Sequence, residues 1–117
     1  YRRYAVESDL ADLYGRASVF AFLSEYEGFG MTPLEALSAG VPPVVLDTPV
    51  AREVYGEAAV FVARGDIAGT AAALRRLLTA PDSATPLLSA APGVLGRYSW
   101  DEAADRTLEH LERIARR

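Results

Sequence analysis

A short stretch of this chain combines two carboxylates, two glycines and the start of a predicted helix. Glu27 and Glu35 have seven residues between them, and Gly28 and Gly30 lie within that interval. Glycine lets a backbone approach a ligand closely. A helix that starts at Thr32 would turn its free N–H groups towards the same place, where an anion could bind. A carboxylate would repel a bound anion unless it faces another part of the ligand, such as its hydroxyl groups. The pattern therefore predicts a ligand with phosphates and hydroxyls, such as a nucleotide or a nucleotide-sugar.

Each of these residues also has an ordinary structural interpretation. Thr32 could cap the helix, with Pro33 in its first turn and Glu35 closing a capping box, which stabilises a helix by about 1 kcal/mol. Glu27 could be a solvated acid in a loop, and the glycines could serve the turn alone. A capping role for Glu35 is compatible with ligand binding, so both interpretations stay open.

Helices alternate with short apolar strands around this stretch. Apolar runs bounded by turn residues predict strands buried on both faces, and apolar residues at helical spacing predict helices. Gly40 ends the helix that starts at Thr32, and Pro42 prevents its continuation. The predicted helices are one from Asp9 capped by Ser8, one capped by Asp66 and closed by Pro81, and a final helix opened by a capping box at Ser99–Glu102. The predicted strands are 18–24, 44–46 and 58–62, with a loop of at most one helical turn at 48–57 and a short helix and a turn at 82–98.

This order predicts an α/β fold: a partial Rossmann-like domain with a small parallel sheet of about three strands, flanked by helices. In such sheets ligands bind beyond the carboxyl ends of the strands, which is where the loop 25–31 follows the first strand. So few strands leave one edge of the sheet poorly covered. We therefore expect a piece of a larger domain. If the chain holds the last three strands of a Rossmann-like sheet ordered 3-2-1-4-5-6, the strand at 19–23 is a bare edge through which the chain could associate with itself.

The composition excludes several kinds of site and partner. The chain has 117 residues, of which 50% are hydrophobic, and fits one small domain. It has no cysteine, so thiolate metal sites are excluded, and the single histidine, His110, cannot form a multi-histidine site. A net charge of −4 argues against a broad nucleic-acid-binding face. No apolar run is long enough to span a bilayer, and we expect a cytoplasmic protein.

The stretch from Ser24 to Pro42 resembles the signature of GT-B glycosyltransferases of the large retaining group called family 4. That signature is commonly written EGFG-x-x-x-LEA-x-A-x-G-x-P, and this chain has EGFGMTPLEALSAGVP. The preceding residues 10–23, the segment 53–59 and the ending at 98–104 are also similar to that family. The resemblance covers nearly the whole chain and is weakest at 82–97.

The resemblance implies a role for each residue that matches the signature. Glu27 matches the glutamate that contacts the donor sugar near the reacting carbon, which makes it the candidate catalytic residue. Glu35 matches the glutamate that holds the ribose hydroxyls, and Glu53 is a candidate for the edge of the donor site. The turn and helix start that meet the sugar and the diphosphate correspond to Gly28, Phe29, Gly30, Met31 and Thr32.

The resemblance also implies what the whole protein does. Residues 1–117 match a nucleotide-sugar-binding subdomain, the latter part of the C-terminal domain of a GT-B enzyme, and the N-terminal domain with the acceptor site is absent. The expected reaction is retaining transfer of a hexosyl group from a nucleotide-diphospho-sugar to a saccharide or lipid, as in polysaccharide biosynthesis. It needs neither a metal nor another cofactor. We expect the isolated chain to be inactive, and the full-length enzyme to lie in the cytoplasm or at the membrane periphery.

Two other functions compete with this hypothesis. One is another GT-B enzyme, such as a sugar-nucleotide epimerase or a phosphorylase, but those families lack the EGFG–LEA arrangement. The other is a non-catalytic α/β interaction module derived from the same fold. Truncation favours the module, whereas the intact signature argues against it.

Overall fold

The computed structural model describes residues 6–116. Within that range the chain forms six α-helices, three β-strands and two short 3-10 turns. The helices and strands are α1 (Glu7–Arg16), β1 (Phe20–Phe22), α2 (Thr32–Ser38), β2 (Pro43–Leu46), α3 (Pro49–Tyr55), β3 (Val60–Val62), α4 (Ile67–Thr79), α5 (Thr85–Leu95) and α6 (Trp100–Ala115), and the 3-10 turns are Gly56–Ala58 and Pro81–Ala84.

The strands form one parallel sheet in the order β1-β2-β3. All four residues of β2 are buried, as expected for a continuous apolar run in the centre of a sheet. Val44 pairs with Ala21 on one side and with Val60 on the other. β1 lies at the edge, with a strand neighbour on one side only among the described residues. The predicted fold class is therefore confirmed, and so is the outermost place of the strand at 19–23.

Helices cover both faces of the sheet and create two apolar clusters. On one face Val45 of β2 packs with buried side chains of α2, α3 and α5, among them Leu37, Val54 and Val94. On the other face Val44 packs with buried residues of β3 and α4, such as Leu77. Successive residues of β2 thus serve opposite faces, which fixes the sheet between two helical layers.

The segment 48–57 was predicted as a loop with at most one helical turn, and this is wrong. It forms the two-turn helix α3, in which the Thr48 hydroxyl accepts a hydrogen bond from Ala51 N at 3.1 Å and Pro49 occupies the first turn. Val54 and Tyr55 are buried in the core, and this packing stabilises the helix. The local sequence of 48–57 gives no sign of that burial. Because a 3-10 turn follows, the third strand begins at Val60 and is shorter than the predicted 58–62.

The segment 82–98 also differs from its prediction. We expected Pro92 to limit it to a short helix and a turn, but α5 runs through Pro92 to Leu95. An internal proline costs about 3 kcal/mol in a helix. Here Ala91 and Val94 flank the proline and are both buried in the core, which offsets that cost. The first helix is also longer than expected, because it begins at Glu7, so that Ser8 lies inside it and is not its cap.

The last helix, α6, begins as predicted. The Ser99 hydroxyl accepts a hydrogen bond from Glu102 N at 3.3 Å. None of the residues of α6 is buried, and its apolar side chains Leu108, Leu111 and Ile114 are each more than half exposed. No helix within the described range is long and apolar enough to cross a bilayer.

Candidate functional site

The predicted site lies where parallel sheets usually bind their ligands. The loop that carries Glu27 leaves the carboxyl end of β1 and runs to the start of α2. Glu27 is exposed and lines a small cleft with Ser24 from the same loop and with Thr48 and Tyr55 from the segment after β2. The cleft therefore opens at the carboxyl ends of two adjacent strands, the position from which such sheets contact nucleotides.

The conformation of Gly30 is fixed by a close contact with the side chain of Tyr55. Its φ is +82°, a conformation that side-chain-bearing residues rarely adopt. The buried Tyr55 hydroxyl donates a hydrogen bond to Gly30 O at 2.7 Å. A Cβ at Gly30 would overlap that hydroxyl oxygen, whereas a Cβ at Gly28 would meet no atom within 4 Å. Glycine is thus required at position 30 by the protein itself, and the space beside Gly28 is open to a ligand.

Two surface contacts hold the rest of this loop. The ring of Phe29 stands edge-on against Tyr98, with ring centroids 4.9 Å apart, a favoured aromatic geometry. At the start of the loop, Glu25 forms an ion pair with Arg64 at 2.7 Å, and both side chains are exposed. Such exposed pairs contribute little stability. The loop is therefore restrained mainly by the hydrogen bond between Gly30 and Tyr55 and by the packing of Phe29 against Tyr98.

The start of α2 does not have the capping box that the sequence allowed. Met31, not Thr32, occupies the N-cap position, its backbone is helical, and no side chain caps the helix there. The carbonyl of Met31 accepts the first backbone bonds, from Leu34 N at 2.9 Å and Glu35 N at 3.1 Å. Glu35 is therefore not part of a capping box, and the capping interpretation of this residue is wrong.

Glu35 instead meets α1. Its carboxylate accepts a hydrogen bond from the Tyr14 hydroxyl at 3.0 Å, and the same hydroxyl lies 3.4 Å from Thr32 O. Burial raises the pKa of Tyr14 to about 12, and the hydrogen bond to Glu35 and its negative charge act in the same direction. The Glu35 side chain stays exposed, so its carboxylate can accept further hydrogen bonds from a ligand.

A second, larger cavity lies beside the loop. It has a volume of about 720 Å³ and opens between α2, the residues after α5 and the start of α6. Leu34 of α2 and Trp100 of α6 line it, and Glu35 contributes a carboxylate to its wall. Phe29 and Met31 line the same cavity, so three of the predicted site residues, counting Glu35, contact this cavity rather than the cleft of Glu27.

Sequence comparison identifies the group to which this site belongs. Residues 4–92 match the family model described as glycosyl transferases group 1, which is more than half of the chain. The chain belongs to this family. It is 32% identical over 110 residues to the O-antigen chain mannosyltransferase B of Escherichia coli, a match that covers 92% of this chain and 28% of the relative.

Two further relatives of this group 1 transferase chain have different names. It is 37% identical over 101 residues to a GDP-mannose:cellobiosyl-diphosphopolyprenol alpha-mannosyltransferase of Komagataeibacter xylinus, covering 84% of this chain and 26% of the relative. It is 32% identical over 108 residues to a D-inositol 3-phosphate glycosyltransferase of Rhodococcus erythropolis (strain PR4 / NBRC 100887), covering 91% and 24%. The chain thus spans about a quarter of the length of the curated relatives it matches.

The structure brings most of the predicted residues of this group 1 chain together. Residues 27–32 and Glu35 follow one another around a single turn and the first turn of α2. Glu53 is separate: it lies on the exposed side of α3, and the side chains of that segment that line the cleft include Thr48, Val50 and Tyr55. Within residues 6–116 no group of three potential ligands is placed to hold a metal ion, and metal-free chemistry stays a prediction.

Three tyrosines that contact the candidate site were not predicted as site residues. Tyr14 contacts Glu35, Tyr55 contacts Gly30, and Tyr98 contacts Phe29. Tyr14 lies within the helix predicted from Asp9, and Tyr55 lies within the segment 48–57 that was predicted as a loop. A polar tip on an apolar ring is the one signal in the sequence that could have marked them, because a buried tyrosine usually needs a hydrogen-bond partner.

A charged pair borders the cleft of this chain. Asp47, at the carboxyl end of β2, accepts two hydrogen bonds of 2.7 Å from Arg52. These bonds hold the pKa of the Asp47 carboxyl below its usual range. The Arg52 guanidinium also lies 4.1 Å from the centre of the Phe61 ring. Because the Arg52 guanidinium contacts both Asp47 and Phe61, its charge is largely neutralised within the protein.

Proposed function

We propose that this chain is the donor-binding part of a retaining glycosyltransferase of the family 4 type, in the latter part of the C-terminal domain of a GT-B enzyme. The donor is a nucleotide-diphospho-sugar, bound at the loop 27–31 and the first turn of α2. One observation carries the proposal. Residues 27–32 and Glu35 follow one another around the turn after β1 and the first turn of α2, and the side chains of Glu27 and Glu35 are both exposed.

The proposed roles follow the geometry of that turn. Glu27 lies in the exposed cleft and would contact the hydroxyls of the donor sugar beside the reacting carbon. The open space at Gly28 would let backbone amides meet the diphosphate, with Met31 and Thr32 on its other side. Glu35 would accept hydrogen bonds from the ribose hydroxyls while it keeps its bond from Tyr14.

Glycosyl transfer breaks the bond between the anomeric carbon and the diphosphate and forms a bond from that carbon to an acceptor oxygen. The acceptor hydroxyl gives up its proton, and the nucleoside diphosphate leaves with the electron pair of the broken bond. Glu27 would stabilise the charge that develops at the reacting sugar. We propose that this chemistry needs no metal, because protein donors would neutralise the diphosphate.

The names of the relatives suggest which substrates to test first. Two mannosyltransferases are among the relatives described above, and the name of one contains GDP-mannose and a diphosphopolyprenol-linked saccharide. We therefore propose a hexosyl donor, with GDP-mannose as the first candidate, and a saccharide or lipid-linked acceptor held by a part of the enzyme outside this chain. A place in polysaccharide biosynthesis in the cytoplasm, or at the membrane periphery, stays a prediction.

Calorimetry of the chain with GDP-mannose, UDP-glucose and dTDP-glucose tests donor binding. Because only part of the predicted site lies in this chain, we expect dissociation constants on the order of 100 μM or weaker. Glu27→Gln and Glu35→Gln should each weaken binding, whereas Glu109→Gln, on the exposed helix α6, is the matched control and should not. Binding by none of the three donors would refute the proposal. Sub-micromolar binding would refute the expectation that residues outside this chain supply part of the donor site.

We also propose that the chain associates with a second copy through β1. Phe20 and Phe22 are partly exposed on this strand, which has no strand neighbour on its outer side within the described residues. Backbone groups along such an edge favour pairing with another chain.

A further inference from the structure

Tyr55 connects α3 to the glycine turn from inside the protein. It is the last residue of α3 and only 2% exposed, and its hydroxyl donates to Gly30 O at 2.7 Å across 25 residues of sequence. The contact leaves no spare room, because a Cβ at Gly30 would overlap the same hydroxyl oxygen. The position of the hydroxyl and the conformation of the turn therefore fix each other.

We propose that Tyr55 is a positioning residue that sets the shape of the turn 28–31 for the donor, and so controls donor affinity through its hydrogen bond to the Gly30 carbonyl. This inference rests on the proposed donor-binding function of the turn. The Tyr55 hydroxyl acts through the Gly30 carbonyl. Because this hydrogen bond fixes the direction of the Gly30 carbonyl, it also fixes the orientation of the neighbouring peptide groups in the turn.

The packing of α3 alone does not account for the hydroxyl. Ala51 and Val54 of the same helix are buried in the same cluster, and Thr48 caps its start. A phenylalanine at position 55 would fill nearly the same volume. A buried hydroxyl is unfavourable unless it is hydrogen-bonded, so its benefit lies in the one bond that it makes to Gly30.

The other restraints on the turn are weaker. Phe29 packs against Tyr98 at the surface, where Phe29 and Tyr98 are each 37% exposed. Glu25 and Arg64 form an ion pair in solvent, and such pairs contribute little. A buried hydrogen bond loses more when its donor is removed, because the acceptor is left without a partner. Removal of the Tyr55 hydroxyl should therefore loosen the turn more than the loss of either surface contact.

The first experiment compares Tyr55→Phe with Tyr98→Phe. Each removes one phenolic hydroxyl, and that of Tyr98 lies 3.4 Å from Val54 O, which Arg97 also contacts. Affinity for GDP-mannose is measured by calorimetry and amide exchange by mass spectrometry. Tyr55→Phe should weaken affinity by about 5- to 10-fold and speed exchange at 28–31 by a similar factor, and Tyr98→Phe should change both less than about 2-fold.

A second experiment uses the close approach at Gly30. In Gly30→Ala the new Cβ overlaps the hydroxyl, but in the Tyr55→Phe background the nearest remaining ring atom would lie at 3.5 Å. Gly30→Ala should therefore lower affinity by a smaller factor in the Tyr55→Phe background than in the wild-type chain. Gly28→Ala, which has open space around it, should show the same factor in both backgrounds.

The outcomes separate this inference from the proposed function. Absence of binding of GDP-mannose, UDP-glucose and dTDP-glucose by the wild-type chain would overturn both. If only one of the other two donors binds, the variants are compared with that donor. Normal wild-type binding with unchanged affinity in Tyr55→Phe would overturn the positioning role alone. That role would also be overturned if exchange rose equally in β2 and in the turn, or if Tyr55→Phe failed to fold, because the hydroxyl would then stabilise the whole fold. Equal factors for Gly30→Ala in both backgrounds would contradict the proposed coupling.

Discussion

Replacing Glu35 by glutamine should weaken donor binding strongly and leave the stability of the fold almost unchanged. In the structure the exposed Glu35 carboxylate accepts one hydrogen bond, from the Tyr14 hydroxyl at 3.0 Å. A glutamine side-chain oxygen can accept the same bond, and the two residue types have similar helix propensities. The unfolding free energy should therefore change by less than about 0.5 kcal/mol.

Binding should respond differently, because the proposed ligand bonds depend on charge. A carboxylate that accepts hydrogen bonds from two ribose hydroxyls contributes about 1.5–3 kcal/mol. Its replacement by a neutral amide should raise the dissociation constant for GDP-mannose by roughly 10- to 150-fold. Calorimetry gives this ratio, and urea denaturation followed by circular dichroism gives the change in unfolding free energy.

Tyr14→Phe is the matched control for Glu35→Gln. It keeps the carboxylate and removes only its protein partner, so it should cost about 1 kcal/mol of stability and change the affinity for GDP-mannose less than about 3-fold. The reasoning is refuted if Glu35→Gln loses more than about 1 kcal/mol of stability while its affinity is unchanged. In that case Glu35 would serve to hold α1 against α2 and would have no role towards the donor.

Three further predictions concern stability and association. Burial, followed by the negative charge of Glu27, raises the pKa of Tyr55 from 10.0 to about 12. Since the fold favours the protonated phenol, stability should be full below pH 10 and fall by on the order of 2 kcal/mol towards pH 12, a loss that urea titrations should find reduced in Tyr55→Phe. Thr48→Ala, which removes the cap bond to Ala51, should lower the unfolding free energy by about 1 kcal/mol, and an unchanged value would contradict the cap. Ala21→Lys, on the exposed edge of β1, should shift the chain towards the monomer in analytical ultracentrifugation, whereas a wild-type chain that is already monomeric at high concentration would refute the edge pairing.

Features that depend on neighbouring residues were predictable from the sequence. The cap at Asp66, whose carboxylate accepts a hydrogen bond from Gly69 N at 2.8 Å, has a local signal, and so does the cap at Ser99. The parallel sheet and the outer place of β1 followed from apolar runs separated by helices. The candidate site at 27–35 could be proposed for the same reason, since its residues lie in one continuous stretch.

Features that depend on distant residues were not predictable. Tyr14 and Glu35 are 21 residues apart and Tyr55 and Gly30 are 25 apart, and no local pattern links either pair. The backbone at Met31 turns helical one residue early, which removes the capping role from Thr32. In α5 the burial of residues beside Pro92 outweighs the local preference against a helix there. Of these cases, only α5 shows tertiary packing that outweighs the preference of a short window.

The shortness of α2 links the state of the proposed site to that of the whole domain. The helix has seven residues, and four of them are buried against the sheet and α5. Isolated helices below about 12 residues are marginal in water, so α2 and the turn before it can exist only while the core is intact. The site should appear and disappear in the same cooperative transition as the fold. A donor that binds the native chain should consequently raise the melting temperature of the entire domain, because it stabilises the folded state by RT ln(1 + [L]/Kd).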